Sequence, residues 1–204
     1  MLDKSVPFYP LIFVRFPDSP PTDAPLPPGY SVQAWQPGAE VDWCTIETAV
    51  DEFPAVDEAM QRFIEDFASE PEELSKRLFF VVTPDGKRVG NCAAWWQKRG
   101  DDRRCLLHYL AVLPEYQGLG LGRALVVQVI KAFQTLEPNE PVFLGTQTWS
   151  WRAVCLYLRC GFQLTREKDP EKALPYLEQK MPAPYYNLLI DTMLDRQWEG
   201  INQP

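Results

Sequence analysis

The sequence predicts an α+β domain: a mixed, mostly antiparallel sheet with helices on both faces. Three observations carry that expectation. Residues 79–83 and 88–97 are apolar, strand-like runs joined by Pro84-Asp85-Gly86-Lys87, and Asp-Gly between such runs signals a hairpin. A third run, 103–113, follows Gly100-Asp101-Asp102 directly and extends the hairpin to a meander. Beyond it the pattern reads glycine-rich turn, helix, strand, helix, strand as far as residue 166.

The elements follow in order. Residues 11–16 read as a short strand, and 17–28 as an extended surface strap rich in proline. Residues 1–28 are thus expected to form an N-terminal extension and 29–204 a single domain. Residues 30–35 alternate as a strand does. Residues 40–50 and 56–67 read as helices, the second with Val56, Met60, Phe63, Ile64 and Phe67 on one stripe. Residues 72–76 add a helical turn. The helix over 120–136 turns Leu121, Leu125, Val129, Ala132, Phe133 and Leu136 inward and Arg123, Gln128 and Lys131 outward. Pro138 and Pro141 bracket the next turn, and 142–147 is a strand. Residues 171–180 suit a helix, and 186–194 suit either a strand or a helix.

Composition narrows the function classes. No apolar run approaches the roughly 18 residues of a membrane span, and residues 1–7 lack the charged and apolar regions of a signal peptide. Five cysteines, Cys44, Cys92, Cys105, Cys155 and Cys160, form no C-x-x-C pair. Reduced thiols, most of them in the core, and no metal site are expected, as in a cytoplasmic protein. The net charge of −8, from 20 basic and 28 acidic residues, speaks against non-specific nucleic-acid binding and suits cationic partners.

The most specific stretch is Gln117-Gly118-Leu119-Gly120-Leu121-Gly122, between a strand and a helix. Glycines let backbone N–H groups approach a ligand, and a helix start leaves N–H groups unpaired at the positive end of the dipole. Together they make a phosphate cradle. The dinucleotide fingerprint fails here, because its third glycine falls on Arg123 or Leu125, and no Gly-Lys-Ser/Thr of a P-loop is present. The turn resembles the acyl-CoA-binding turn Q/R-x-x-G-x-G/A of the GCN5-related N-acetyltransferases (GNAT), with Gln117, Gly120 and Gly122 at the defining positions. Downstream, Ala153, Leu156, Tyr157, Gly161 and Phe162 match that family's N-x-x-A-x-x-L-Y-x-x-x-G-F, with Ser150 in the asparagine position. Serine there can still cap a helix or donate a hydrogen bond. The two motifs span roughly residues 105–165.

The resemblance implies the GNAT (acyl-CoA N-acyltransferase) fold and acetyl-CoA as cosubstrate, with no metal. It implies that the pantetheine arm lies on the backbone of Leu110, Ala111 and Val112, whose N–H groups also polarise the thioester carbonyl. The pyrophosphate then rests on Gln117, Gly118, Leu119, Gly120, Leu121 and Gly122, with Arg123 as a charge partner and Ser150 nearby. Tyr157 is implied as the acid that protonates the departing sulfur.

The proton acceptor and the acceptor amine stay open. His108, the only histidine, lies on the strand that carries the thioester and has a suitable unperturbed pKa. Strand alternation puts it on the face of Leu106 and Leu110 unless a bulge intervenes. Glu47 and Glu52 are rival bases, each more readily read as a solvated helical face. Glu47, Asp51 and Glu52 fall where the family folds helices over its acceptor, and there they make an acidic rim. One or two of Trp95, Trp96, Trp149 and Trp151 add aromatic walls. The expected partners are acetyl-CoA and the amine of a small molecule, without nucleic acid or membrane, and with a homodimer left open. A non-catalytic acyl-CoA-binding or regulatory domain and a protein or peptide N-acetyltransferase are the alternatives.

Overall fold

The computed structural model describes residues 2–20, 22–99 and 102–194. The chain forms two compact units, residues 1–20 with 141–204 and residues 21–140.

The larger unit opens with β2 (Ser31–Ala34), numbered after the β1 strand of the other unit, and continues through α1 (Glu40–Ala49), α2 (Val56–Phe67) and α3 (Pro71–Arg77). The meander β3 (Leu78–Val82), β4 (Arg88–Arg99) and β5 (Asp102–Val112) follows, then α4 (Leu121–Leu136). Strands β2 to β5 pair antiparallel in sequence order. The Asp-Gly turn forms as the sequence predicts: Thr83 N–H donates to Lys87 O at 3.0 Å, and Gly86 takes φ +89°. Strand β3 is buried along its whole length, as a central strand under helices must be.

In α2 the buried row is Ala59, Phe63 and Phe67, whereas Val56 and Ile64 are exposed. This corrects the expected stripe. Trp43 of α1 stands edge-on to Phe63 and Phe67, so the i, i+4, i+8 row facing Trp43 is the one that packs. Helix α4 buries Leu121, Leu125, Val129, Ala132 and Phe133 as expected, while Leu136 at its end is only half-buried. It approaches β4 closely at Gly90, where a Cβ would lie 2.8 Å from Ala111 O and 3.3 Å from Leu125 Cδ1. Arg77, on α3, is buried and ties the sheet to the helices. It donates to both oxygens of Glu137, to Glu73, and to Ala94 O, and its guanidinium lies 3.8 Å over the Trp96 ring.

The smaller unit contains β1 (Pro10–Arg15), β6 (Val142–Gln147), α5 (Trp151–Arg159), β7 (Gln163–Leu164), α6 (Leu174–Lys180) and α7 (Ala183–Thr192). Strand β1 lies between β6 and β7 and pairs antiparallel with both. Of residues 186–194, for which strand and helix were both open, those up to Thr192 are helical, within α7 (Ala183–Thr192). Arg15 is buried, and among the described residues no carboxylate pairs with it. It donates to Cys160 O at the C-cap of α5 and to Ser19 O and Pro20 O, so it anchors both that helix and the start of the proline-rich strap. No helix among the described residues is long and apolar enough to cross a membrane.

Candidate active site

In the larger unit the site is organised by an irregularity of β5. Asn91 pairs with Ala111 but Ala93 pairs with His108, so β5 spends three residues where β4 spends two. The extra residue makes a β-bulge, and Tyr109 within it takes φ +53°. A non-glycine residue in that region costs about 1–3 kcal/mol, so its surroundings must hold it there. They do so from three sides. Asn91 Nδ2 donates to Tyr109 O at 2.8 Å, Tyr109 OH donates to Asp66 Oδ2 at 2.6 Å, and the Tyr109 ring stands edge-on to Trp43 at 4.9 Å. The bulge also breaks the alternation that would have set His108 and Leu110 on one face.

His108 stacks against Tyr109, and its Nε2 lies 3.8 Å from Asp66 Oδ2, an ion-pair separation rather than a hydrogen bond. Burial would raise the Asp66 carboxyl, yet the His108 and Tyr109 side chains, with Arg62 beyond, bring it below its ordinary value. The Tyr109 phenol is pushed well up by burial and by that carboxylate.

Glu47 is the main departure from expectation. It is 2% exposed, neither a solvated face nor part of an exposed rim. It follows Trp43 by one helical turn, and both face the sheet. Its Oε1 accepts from Asn91 Nδ2 at 2.7 Å, and among the described residues no cation pairs with it. Burial pushes its carboxyl up to about 8; the Asn91 hydrogen bond opposes the rise and the charge of Glu52 adds to it. Asp51 and Glu52 are exposed, as an acidic rim requires. They close α1 in a Schellman turn: Asp51 takes φ +63°, its N–H reaches Thr48 O, and the Glu52 N–H reaches Glu47 O.

The glycine-rich turn follows β5 after a single 3-10 turn at Pro114–Tyr116. Gln117 Nε2 donates to Val112 O at 2.9 Å, tying the turn to the strand. Gly118 and Gly120 take φ +82° and +83°, and nothing lies within 4 Å of where a Cβ would stand on either. Gly120 is the N-cap of α4, and no side chain caps the helix there. Arg123 lies in the first turn, and its Nε is buried without a partner among the described residues. Left-handed glycines under open space, an uncapped helix start and an unsatisfied guanidinium donor are features that suit a phosphate-bearing group.

In the smaller unit Tyr157 is 6% exposed, its ring 6.4 Å from Phe13 and 6.0 Å from Phe162. Ser150 occupies the N-cap position of α5, but its hydroxyl makes no capping bond, which corrects that expectation. The four tryptophans are all engaged in packing or hydrogen bonds. Trp149 and Trp151 bond to Val6 O and Asp3, Trp95 Nε1 donates to Asp66 O, and Trp96 lies between the guanidiniums of Arg77 and Arg103. All five cysteines are free, and burial raises the Cys44 and Cys105 thiols to about 11 and about 12.

The arrangement agrees with comparisons to known proteins. Residues 75–164 match the family model described as acetyltransferase (GNAT) domain. Over 146 residues the chain is 30% identical to a mycothiol acetyltransferase of Streptomyces griseus, a match that covers 71% of this chain and 46% of that protein. The chain therefore spans just under half the length of that relative. A GCN5-related N-acetyltransferase from Sphaerobacter thermophilus superposes with a TM-score of 0.61 at 20% identity, over 78% of this chain and 49% of that one. A GNAT-family acetyltransferase from Colwellia psychrerythraea gives 0.60 at 15% identity, over 79% and 55%. Through residues 75–164 the chain is similar to the GCN5-related N-acetyltransferases, and its fold is the α+β fold of that family.

The raised Glu47 carboxyl has a measurable effect on stability. The folded chain holds that proton more tightly than an unfolded chain does, so this group's contribution falls as pH rises from about 4.5 to about 8 and is level above. Glu47→Gln cannot ionise and is expected to flatten the fall, which is on the order of a few kcal/mol. Urea unfolding of both proteins at about pH 5 and about pH 9 checks this; equal losses would assign the pH dependence to other groups.

Proposed function

We propose that this chain transfers the acetyl group of acetyl-CoA to the nitrogen of an amine carried by a small molecule. The observation that carries the reading is the turn from Gln117 to Gly122, with its two left-handed glycines under open space before an uncapped helix. The backbone N–H groups of Gly118, Leu119, Gly120, Leu121 and Gly122 take the pyrophosphate, and Arg123 adds a cation. Backbone groups of Leu110, Ala111 and Val112 pair with the pantetheine arm, and Ser150 lends a hydroxyl to the cosubstrate. The relatives named mycothiol acetyltransferases favour a small acceptor over a protein terminus or lysine.

The chemistry is direct transfer. The amine nitrogen attacks the thioester carbon, whose oxygen is stabilised by backbone N–H donors. The carbon–sulfur bond breaks, and Tyr157 gives its phenolic proton to the leaving thiolate. His108 takes the proton that the amine loses. Asp66 stabilises the imidazolium so formed, since its carboxylate is already charged and 3.8 Å away. Asp51 and Glu52 form the acidic rim that draws a protonated amine from solution, whereas Glu47, being buried, is set apart from that rim.

Four experiments test this reading. Gly120→Glu places a Cβ and a negative charge where the phosphate would lie, and calorimetry is expected to show CoA binding lost in a folded protein. Unchanged affinity would remove the cradle. Tyr157→Phe is expected to lower kcat by roughly 10²–10⁴-fold at nearly unchanged acetyl-CoA affinity, and His108→Gln to abolish the limb of the pH–rate profile that belongs to the base. Wild-type turnover in the first, or the full profile in the second, refutes that residue's role. Reversing the charges of Asp51 and Glu52 is expected to raise the acceptor KM most at low salt. A salt-independent, unchanged KM would dismiss the rim.

A further inference from the structure

We propose that Glu47 and Asn91 are positioning residues: as a pair they fix the bulge at Tyr109, and with it the β5 backbone on which the acyl thioester is activated. The inference rests on the acetyl-transfer reading for its link to turnover, but not for its link to backbone geometry.

The side-chain amide of Asn91 has two hydrogens, and both are committed. One goes to Tyr109 O at 2.8 Å and the other to Glu47 Oε1 at 2.7 Å. The bulge interrupts the ladder at this point, and the amide supplies a donor that the broken ladder does not. An isolated asparagine can turn its amide over and offer oxygen instead of nitrogen. Glu47 Oε1 and Tyr109 O together oppose this, because only the nitrogen end can donate to both of these oxygens at once. Asn91 itself is fully buried, and its Oδ1 has no partner among the described residues. The network thus leaves one acceptor unsatisfied in order to hold the other end of the amide in place.

The surroundings make an ion-pairing role for Glu47 untenable. Among the described residues, the titratable groups that face it are Cys44 on its own helix, Cys92 of β4, Tyr109 of β5 and Glu52 in the following turn, all neutral or acidic. A buried acid without a cation is costlier than an apolar side chain of the same size. Its placement is accounted for by what it orients. Tyr109 is held by Asn91 at its carbonyl and by Asp66 at its hydroxyl, and the first hold depends on Glu47.

The test uses the full chain and three variants: Asn91→Leu, Glu47→Leu and Glu47→Gln. Backbone chemical shifts report whether Tyr109 stays left-handed, calorimetry reports CoA affinity, and steady-state kinetics reports kcat. Both leucine variants are expected to move Tyr109 out of the left-handed region and to lower kcat by about 10²-fold, since a misplaced reacting group costs that much. CoA affinity is expected to fall less than kcat, because the residues of the glycine turn are unchanged and only the β5 contacts to the pantetheine arm shift. Glu47→Gln keeps an acceptor oxygen for Asn91 and is expected to rescue both the Tyr109 geometry and most of the turnover that Glu47→Leu loses. The two leucine variants are independent, so failure of one to fold leaves the other to decide. A folded leucine variant with Tyr109 still left-handed overturns the proposal. So does a Glu47→Gln variant as slow as Glu47→Leu with Tyr109 in place, which would make Glu47 a proton carrier. A wild-type chain that binds no CoA would fell the acetyl-transfer reading alone, since the Tyr109 geometry is read without any ligand.

Discussion

One additional residue in β5 governs the larger unit. Without the bulge at Tyr109, β4 and β5 would alternate in step to the end of the strand. With it, Tyr109 directs its ring to Trp43 and its hydroxyl to Asp66, and His108 stacks alongside. Past the bulge, Ala111 and Val112 come into register with Asn91 and Gly90. Gly90 has no side chain to keep Ala111 O and Leu125 apart, so α4 settles against the strand end. The glycine turn joins these two elements, and its place in space follows from that contact.

Among the described residues, three buried acidic or basic side chains are handled in three ways. Arg77 meets carboxylates from two elements, the ordinary arrangement for a buried charge. Arg15 is surrounded by carbonyl oxygens, including one at the C-terminal end of α5, where the partial negative charge of the helix favours a cation. Glu47 has one amide and, among the described residues, no cation, and burial favours its protonated form. The first two are explained by the architecture they tie together. The third lies beside the most strained residue of the strand.

The strands, the long helix and both motifs were legible because their signals are local: apolar runs, an Asp-Gly turn, glycines before a helical pattern. The bulge was legible only as an exception that would break the alternation at His108, since no glycine marks it. Its left-handed residue is a tyrosine held by partners on α2 and β4, far off in sequence. The burial of Glu47 escaped for a related reason. A glutamate among Asp42, Glu40 and Thr48 reads as a wet helical face, and only its spacing of four from Trp43 hinted otherwise. Asn91 and Asp66 carried no sequence signal beyond being polar residues in otherwise apolar settings. The stripe on α2 was misread by one row, because neighbouring rows of a helix are distinguishable only once the facing residue, Trp43, is known.

The smaller unit joins segments that flank residues 21–140, with β1 inserted between β6 and β7. During synthesis β1 therefore leaves the ribosome long before either neighbour exists. Leu11, Phe13 and Val14, fully buried at the end, must wait in water or against transient partners while all the intervening residues are made. The prolines that follow β1 are poor substrates for strand pairing, and they limit what this early hydrophobic segment can recruit. Order of birth and order of burial are thus reversed for this strand, and a nascent chain halted before residue 142 would carry it unpaired.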